Sequence, residues 1–166
     1  MSQTHSFKPI FDKNSKILIL GSFPSVISRK FGFYYTNPQN RFWRVLAGIL
    51  NAPLPASTDE KIKFLLSHHI AIYDAAISCE IEGSSDAKMS KIMPVNLKPL
   101  FKEAKIKQVY ANGGKAYEIC KKYLENEIIK ATKNEIIKLP STSPANAKFS
   151  LEKLANEWSM IVRMLA

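Results

Sequence analysis

Short apolar runs that stop at a glycine or a polar residue alternate along this chain with stretches in which apolar side chains recur every three to four residues. That alternation restricts it to repeated strand–helix units. Lys16-Ile-Leu-Ile-Leu20 closes on Gly21, Ile70-Ala-Ile-Tyr-Asp74 on a carboxylate and Gln108-Val-Tyr-Ala111 on Asn112, and a fourth strand is expected over Glu135 to Leu139. Between them Phe42, Val45, Leu46, Ile49 and Leu50 share one helical face. A second helix is expected from a Ser57 or Thr58 cap through Leu66, a third over Asn96 to Ala104 and a fourth over Gly114 to Leu124. The last, about Ser150 to Leu165, carries Leu151, Leu154, Trp158, Ile161, Val162 and Leu165 on one stripe. Residues 78 to 94 read as polar loop.

Strands that alternate with helices make a mostly parallel sheet with helices on both faces: an α/β, three-layer αβα sandwich around four strands. At 166 residues, 46% hydrophobic and 23% charged, the chain suits one domain spanning 1–166. In such sheets ligands collect at the carboxyl ends of the strands. The segments to inspect are therefore Gly21 to Gln39, Ala75 onward, Asn112-Gly-Gly114 and Pro140 to Ala147. The first holds Phe23, Phe31, Phe33, Tyr34 and Tyr35, an unusual aromatic load for a connector.

Twenty-four basic against fourteen acidic side chains give a formal charge of +10, a bias towards polyanions such as nucleic acid. Residues 84 to 166 hold 15 basic and 8 acidic side chains, against 9 and 6 in residues 1 to 83. Two cysteines, Cys79 and Cys120, exclude a disulfide framework or a four-cysteine metal site and fit a reducing compartment. Without an apolar leader at Met1 to Ile10 or a run of about eighteen apolar residues, a cytoplasmic protein with no membrane partner is expected.

Several segments carry chemistry and a plainer alternative at once. Asn112-Gly-Gly-Lys-Ala116, where a strand meets a helix, is a seat for phosphate or a simple glycine turn. Pro140-Ser-Thr-Ser-Pro-Ala-Asn146 offers hydroxyl donors to a phosphate backbone, or is a proline-stiffened turn before a helix capped by Asn146 or Ser150. Asn40 sits where a helix N-cap is expected, and periodicity alone favours that role. Asp74 is a buried carboxylate at the ligand edge or a turn cap. His68 and His69, adjacent in sequence, cannot form a metal site by themselves, and the lysines of 121 to 138 are interleaved with glutamates as on a solvated face.

Taken in order, Gly21-Ser-Phe-Pro-Ser25, Tyr34-Tyr-Thr-Asn-Pro-Gln-Asn-Arg-Phe-Trp43 and Leu139-Pro-Ser-Thr-Ser-Pro-Ala-Asn146 resemble the uracil-DNA glycosylase superfamily, most of all its hypoxanthine-DNA (deoxyinosine) branch. Tyr73-Asp-Ala75, Glu82-Gly-Ser-Ser-Asp86 and Asn112 to Ala116 support the match. Phe23 stands where many members carry Asp or Asn, and Leu139 where uracil-specific members often carry histidine. The hypoxanthine branch also lacks the polar residue at the Phe23 position, and the resemblance gives its proposed catalytic asparagine to Asn40.

The resemblance implies a monofunctional DNA glycosylase acting in base excision repair. Such an enzyme flips a deaminated base out of DNA, hydrolyses its N-glycosidic bond and leaves an abasic site, as a monomer without cofactor or metal. Asn40 would hold the attacking water. Gly21, Ser22, Phe23, Tyr35, Asp74 and Asn112 would receive the base, and Ser141, Ser143, Gly113 and Lys115 would hold the DNA phosphates. A uracil-type glycosylase and a non-catalytic nucleic-acid-binding module are the alternatives on the same fold.

Overall fold

The computed structural model describes residues 2–5, 7–85 and 88–166. Asp86, which closes the Glu82-to-Asp86 segment, lies outside them. In chain order the elements are β1 (Ser2–Thr4), β2 (Ile17–Gly21), α1 (Val26–Phe31), α2 (Phe42–Ile49), α3 (Thr58–Ser67), β3 (Ile70–Asp74), β4 (Ala76–Glu80) and β5 (Ser90–Pro94). Then follow α4 (Lys98–Glu103), β6 (Gln108–Asn112), α5 (Gly114–Ile119), a π-helical turn (Cys120–Leu124), α6 (Glu125–Thr132), β7 (Ile137–Leu139), α7 (Leu151–Trp158) and a 3-10 helix (Ser159–Leu165).

Strands β2, β3, β6 and β7 form a parallel sheet in the order β3-β2-β6-β7. Period-two alternation sorts β2 between two cores. Leu18 and Leu20 face one, with Leu100 of α4, Ile119 of α5 and Ile128 of α6. Ile17 and Ile19 face the other, with Leu46 of α2, Leu65 of α3 and Leu154 and Trp158 of α7. The αβα sandwich expected from the sequence is the architecture observed. Each fully buried Ile or Leu in these layers contributes about 1.5–3 kcal/mol of transfer free energy, which is why both faces of β2 are apolar. Ser57 and Ser150 cap α3 and α7, each accepting the N–H three residues on.

Residues 78 to 94 are not a polar loop. They contain most of β4 and all of β5, which pair antiparallel with each other, while β1 adds to the far edge of β4. Cys79 and Met89 are buried there among otherwise half-exposed neighbours. The mixed composition hid these strands because one face is wet and β1 pairs from more than seventy residues away. The chain passes directly from β3 to β4 through Ala75, whose N–H donates to the Gly21 carbonyl at 2.7 Å. The two sheets thus meet at Asp74 and Ala75. Helical backbone also runs past the expected end at Leu124, through the π turn into α6, because Ile128 and Thr132 keep an inward face.

The sheet order places β2 between a strand that follows it directly, β3, and one reached by crossing over, β6. Connections leaving β2 and β6 therefore diverge and open a crevice at their carboxyl ends. Gly21 and Asn112 are the last residues of those strands.

Candidate active site

The crevice is a cleft of about 320 Å³. Its first wall grows from the ends of β2 and β3. Asp74, 3% exposed, lies beside Gly21, where a Cβ atom would come within 2.5 Å of the Asp74 carboxylate and 2.8 Å of the Tyr35 hydroxyl. Only a residue without a side chain fits there. Tyr35 has a left-handed backbone (φ 52°), its ring stacks on Phe42 with 4.0 Å between centroids, and its carbonyl accepts from the Trp43 indole N–H. Apart from Phe31, which is 67% exposed, the aromatic load of this segment is thus a packed support for the wall. Burial, and after it the Asp74 charge, pushes the Tyr34 and Tyr73 hydroxyls up, so both remain protonated beside that carboxylate.

Phe23 continues this wall. The Arg29 guanidinium lies 5.3 Å from its ring centroid and donates to the Pro24 and Gly83 carbonyls. Ser84, on the connection from β4 to β5, accepts from the Val26 N–H and also lines the cleft. Behind Phe23, His5 is 4% exposed. Its Nε2 faces the Ala76 carbonyl at 2.9 Å and its Nδ1 accepts from the Phe7 N–H, which fixes a neutral tautomer. Burial holds its pKa below the ordinary 6.5.

The second wall is the loop after β7, held by hydrogen bonds rather than by packing. The Asn112 amide grips Thr142 at both ends: Oδ1 accepts from the Thr142 N–H at 3.1 Å and Nδ2 donates to its Oγ1 at 3.1 Å. Nδ2 also lies 3.3 Å from the Tyr35 hydroxyl, so Asn112 ties one wall to the other. Gly113, with φ at 96°, brings the start of α5 against Ser141, where a Cβ would meet the serine Cβ at 3.0 Å. The Ser141 and Ser143 hydroxyl oxygens accept from the N–H groups of Ser143 and Ala145. Their O–H groups remain donors for a ligand.

Asn40 lies between the walls. Its Oδ1 accepts from the Phe42 N–H at 2.9 Å, a local turn in which Arg41, not Asn40, is the N-cap of α2. The capping alternative is thus met only in part. A main-chain donor can be answered only by the amide oxygen, so this bond fixes which end of the amide is which. The second lone pair of Oδ1 and the Nδ2 group stay available.

Nine of the eleven residues singled out from the sequence line this one cleft: Gly21, Ser22, Phe23, Tyr35, Asn40, Asp74, Asn112, Ser141 and Ser143. Gly113 lies behind Ser141, and Lys115 points to Glu118 at 3.4 Å, away from the lining. Sequence reasoning passed over Arg41. Its main-chain N–H donates to the Thr142 carbonyl at 3.0 Å, and its guanidinium donates to the carbonyls of Thr142, Ser143, Asn146 and Phe149. Its place beside Asn40 was the only available signal. Thr142, one of the hydroxyls that the sequence offered to a phosphate backbone, is 1% exposed and receives the Asn112 amide instead, a role that depends on a partner remote in sequence. Among the described residues no three His, Cys, Asp or Glu side chains gather in a metal-ligating group, and no helix is long and apolar enough to cross a membrane.

The family model of the uracil DNA glycosylase superfamily matches residues 8–163. A protein of Methanosarcina acetivorans named hypoxanthine DNA glycosylase is 32% identical over 160 residues, 95% of this chain and 96% of its own. One of the same name from Methanosarcina barkeri is 31% identical over 156 residues, 92% and 94% of the two chains. A solution NMR structure of a Methanosarcina acetivorans protein assigned to the uracil DNA glycosylases superposes with a TM-score of 0.81 at 30% identity over 99% of both chains.

Proposed function

The chain belongs to the uracil DNA glycosylase superfamily, and from that premise we propose that it is a monofunctional deoxyinosine glycosylase, hydrolysing the bond between hypoxanthine and deoxyribose in DNA. The observation that carries this reading is the meeting, in one cleft, of an amide fit to hold water, a buried carboxylate and a hydroxyl-bearing loop. At about 320 Å³ the cleft sits near the lower bound of ordinary ligand sites, about 300 Å³, and suits one extruded nucleotide better than a duplex. Flipping costs a few kcal/mol, least for a weakly paired base such as hypoxanthine.

In this reading Ser141 and Ser143 donate to the phosphates flanking the flipped nucleotide while Tyr35 and Phe23 flank the base. Asp74 accepts from N1–H of hypoxanthine, and a main-chain N–H of the 22–25 turn donates to O6. Adenine reverses both groups and would leave the two partners unanswered, a large penalty in a buried site. Asn40 holds the water through its remaining lone pair. The water oxygen bonds to C1′ as the C1′–N9 bond breaks; the base leaves with the bonding electrons and takes up the proton that the water loses, giving free hypoxanthine and a C1′ hydroxyl. An amide is a poor base, so Asn40 acts by placement.

No lysine is placed for Schiff-base chemistry in this reading, so the product is an intact abasic strand. Base release from duplexes carrying one deoxyinosine or one deoxyuridine, revealed by alkaline cleavage, tests the assignment. Wild type releases hypoxanthine, and Asn40→Ala is slower by about 100-fold or more while binding abasic-site DNA normally. Release from deoxyuridine alone would transfer the assignment to the uracil-type alternative. Binding without release from either would transfer it to the non-catalytic module.

A further inference from the structure

The strongest feature that this reading leaves unused is the Arg41 guanidinium. It is half-buried, and among the described residues no carboxylate forms an ion pair with it. Its donors go to main-chain carbonyls of one loop instead: Ser143 at 2.8 Å, Asn146 at 3.1 Å, Thr142 at 3.4 Å and Phe149. Surface arginines that merely add solubility do not collect carbonyls lying more than one hundred residues away. A guanidinium bound only by neutral oxygens keeps its full charge, directed here at the segment whose hydroxyls face the cleft. A planar fork with five donors can satisfy such a divergent set of acceptors, and an ammonium cannot.

We infer that Arg41 is a positioning residue: it sets the phosphate-holding loop 141–146 in register with the water-holding amide of Asn40, its immediate neighbour. This rests on the function proposed above. The main-chain bond from the Arg41 N–H to the Thr142 carbonyl completes the coupling, so one peptide unit fixes both the backbone clamp and the hydrolytic group. A loop displaced by 1 Å would hold the sugar out of reach of the water, an error worth about 100-fold in rate.

The test compares wild type, Arg41→Ala and Arg41→Lys for affinity towards an abasic-site duplex and for single-turnover release of hypoxanthine from a deoxyinosine duplex, each per folded molecule. Arg41→Ala should lose about tenfold in affinity and about 100-fold in the release step at saturation. Arg41→Lys, which keeps the charge and lacks the fork, should recover part of the affinity and little of the rate. Guanidinium chloride at tens of millimolar should restore Arg41→Ala several-fold over the same concentration of sodium chloride. Equal affinity and rate per folded molecule in the variants would overturn the inference, as would failure of both variants to fold, since the residue would then serve stability alone. If wild type releases no base, the functional reading fails, and the abasic-site affinities and their guanidinium rescue still decide the role of Arg41.

Discussion

The two walls of the cleft are built by opposite means. The wall at β2 and β3 is set by exclusion: Gly21 has no room for a methyl group, Tyr35 lies on Phe42, and Asp74 is packed at a strand end. The wall at 141–146 is set by donors and acceptors: Asn112 holds Thr142, Arg41 holds four carbonyls, and the serines fold the loop on itself. A wall made by packing resists small changes of polarity and fails abruptly on added volume. One made by hydrogen bonds tolerates volume better, except where Gly113 meets Ser141, and fails by degrees as bonds are removed. The division suits the proposed task, because a base must be selected by shape and complementary polarity whereas a phosphate need only be held.

The packed wall is most vulnerable at Gly21. Gly21→Ala should lower kcat/KM on deoxyinosine DNA by at least about 100-fold while costing only about 1–3 kcal/mol of stability. A variant with near-normal turnover would show that the first wall yields. Asn112→Ala removes the bond between the walls and should lower the release step at saturation about tenfold, with stability lower by about 1–3 kcal/mol. An unchanged release step would show that Asn112 does not set the loop. Replacing both serines, Ser141→Ala with Ser143→Ala, should weaken DNA binding only several-fold and uniformly across sequences, as measured by titration of labelled duplexes.

The smallest effect concerns the backing of the first wall. His5 is held neutral in the folded protein, with a pKa below 6.5, so unfolded chains take up the proton first as pH falls. Its contribution to stability is complete above about pH 6.5 and is lost as pH drops towards the lowered value. The melting temperature of wild type should therefore fall between about pH 7 and about pH 5 by a few degrees more than that of His5→Gln, which does not titrate. Equal acid losses in the two proteins would remove His5 from the support of Phe23.

The same division explains what could be read from sequence. Apolar runs such as Ile17 to Leu20 announce a buried strand because burial is written in the residues themselves, and the parallel sheet with its helices followed from them. Ser57 and Ser150 were legible as caps for the same local reason. Strands β4 and β5 were not, since Ser78, Glu80, Ser90 and Lys91 read as loop until β1 and Cys79 supply the other face. Most residues of the packed wall stood out as strand ends and aromatics. The residues that fix the second wall, Thr142 and Arg41, are ordinary until their partners across the molecule are known, and Asn112, read as a base contact, has its amide given to Thr142 and Tyr35.

Arg41 and the carbonyls it binds are separated by 101 to 108 residues, and Asn112 lies thirty before Thr142. During synthesis, which proceeds from the N-terminus, the strand ends bearing Gly21 and Asp74 leave the ribosome long before the loop that faces them. A nascent chain therefore carries the amide proposed to hold water with no companion loop to face it. The cleft, and with it the function proposed for it, is complete only once residues 142–149 have been made.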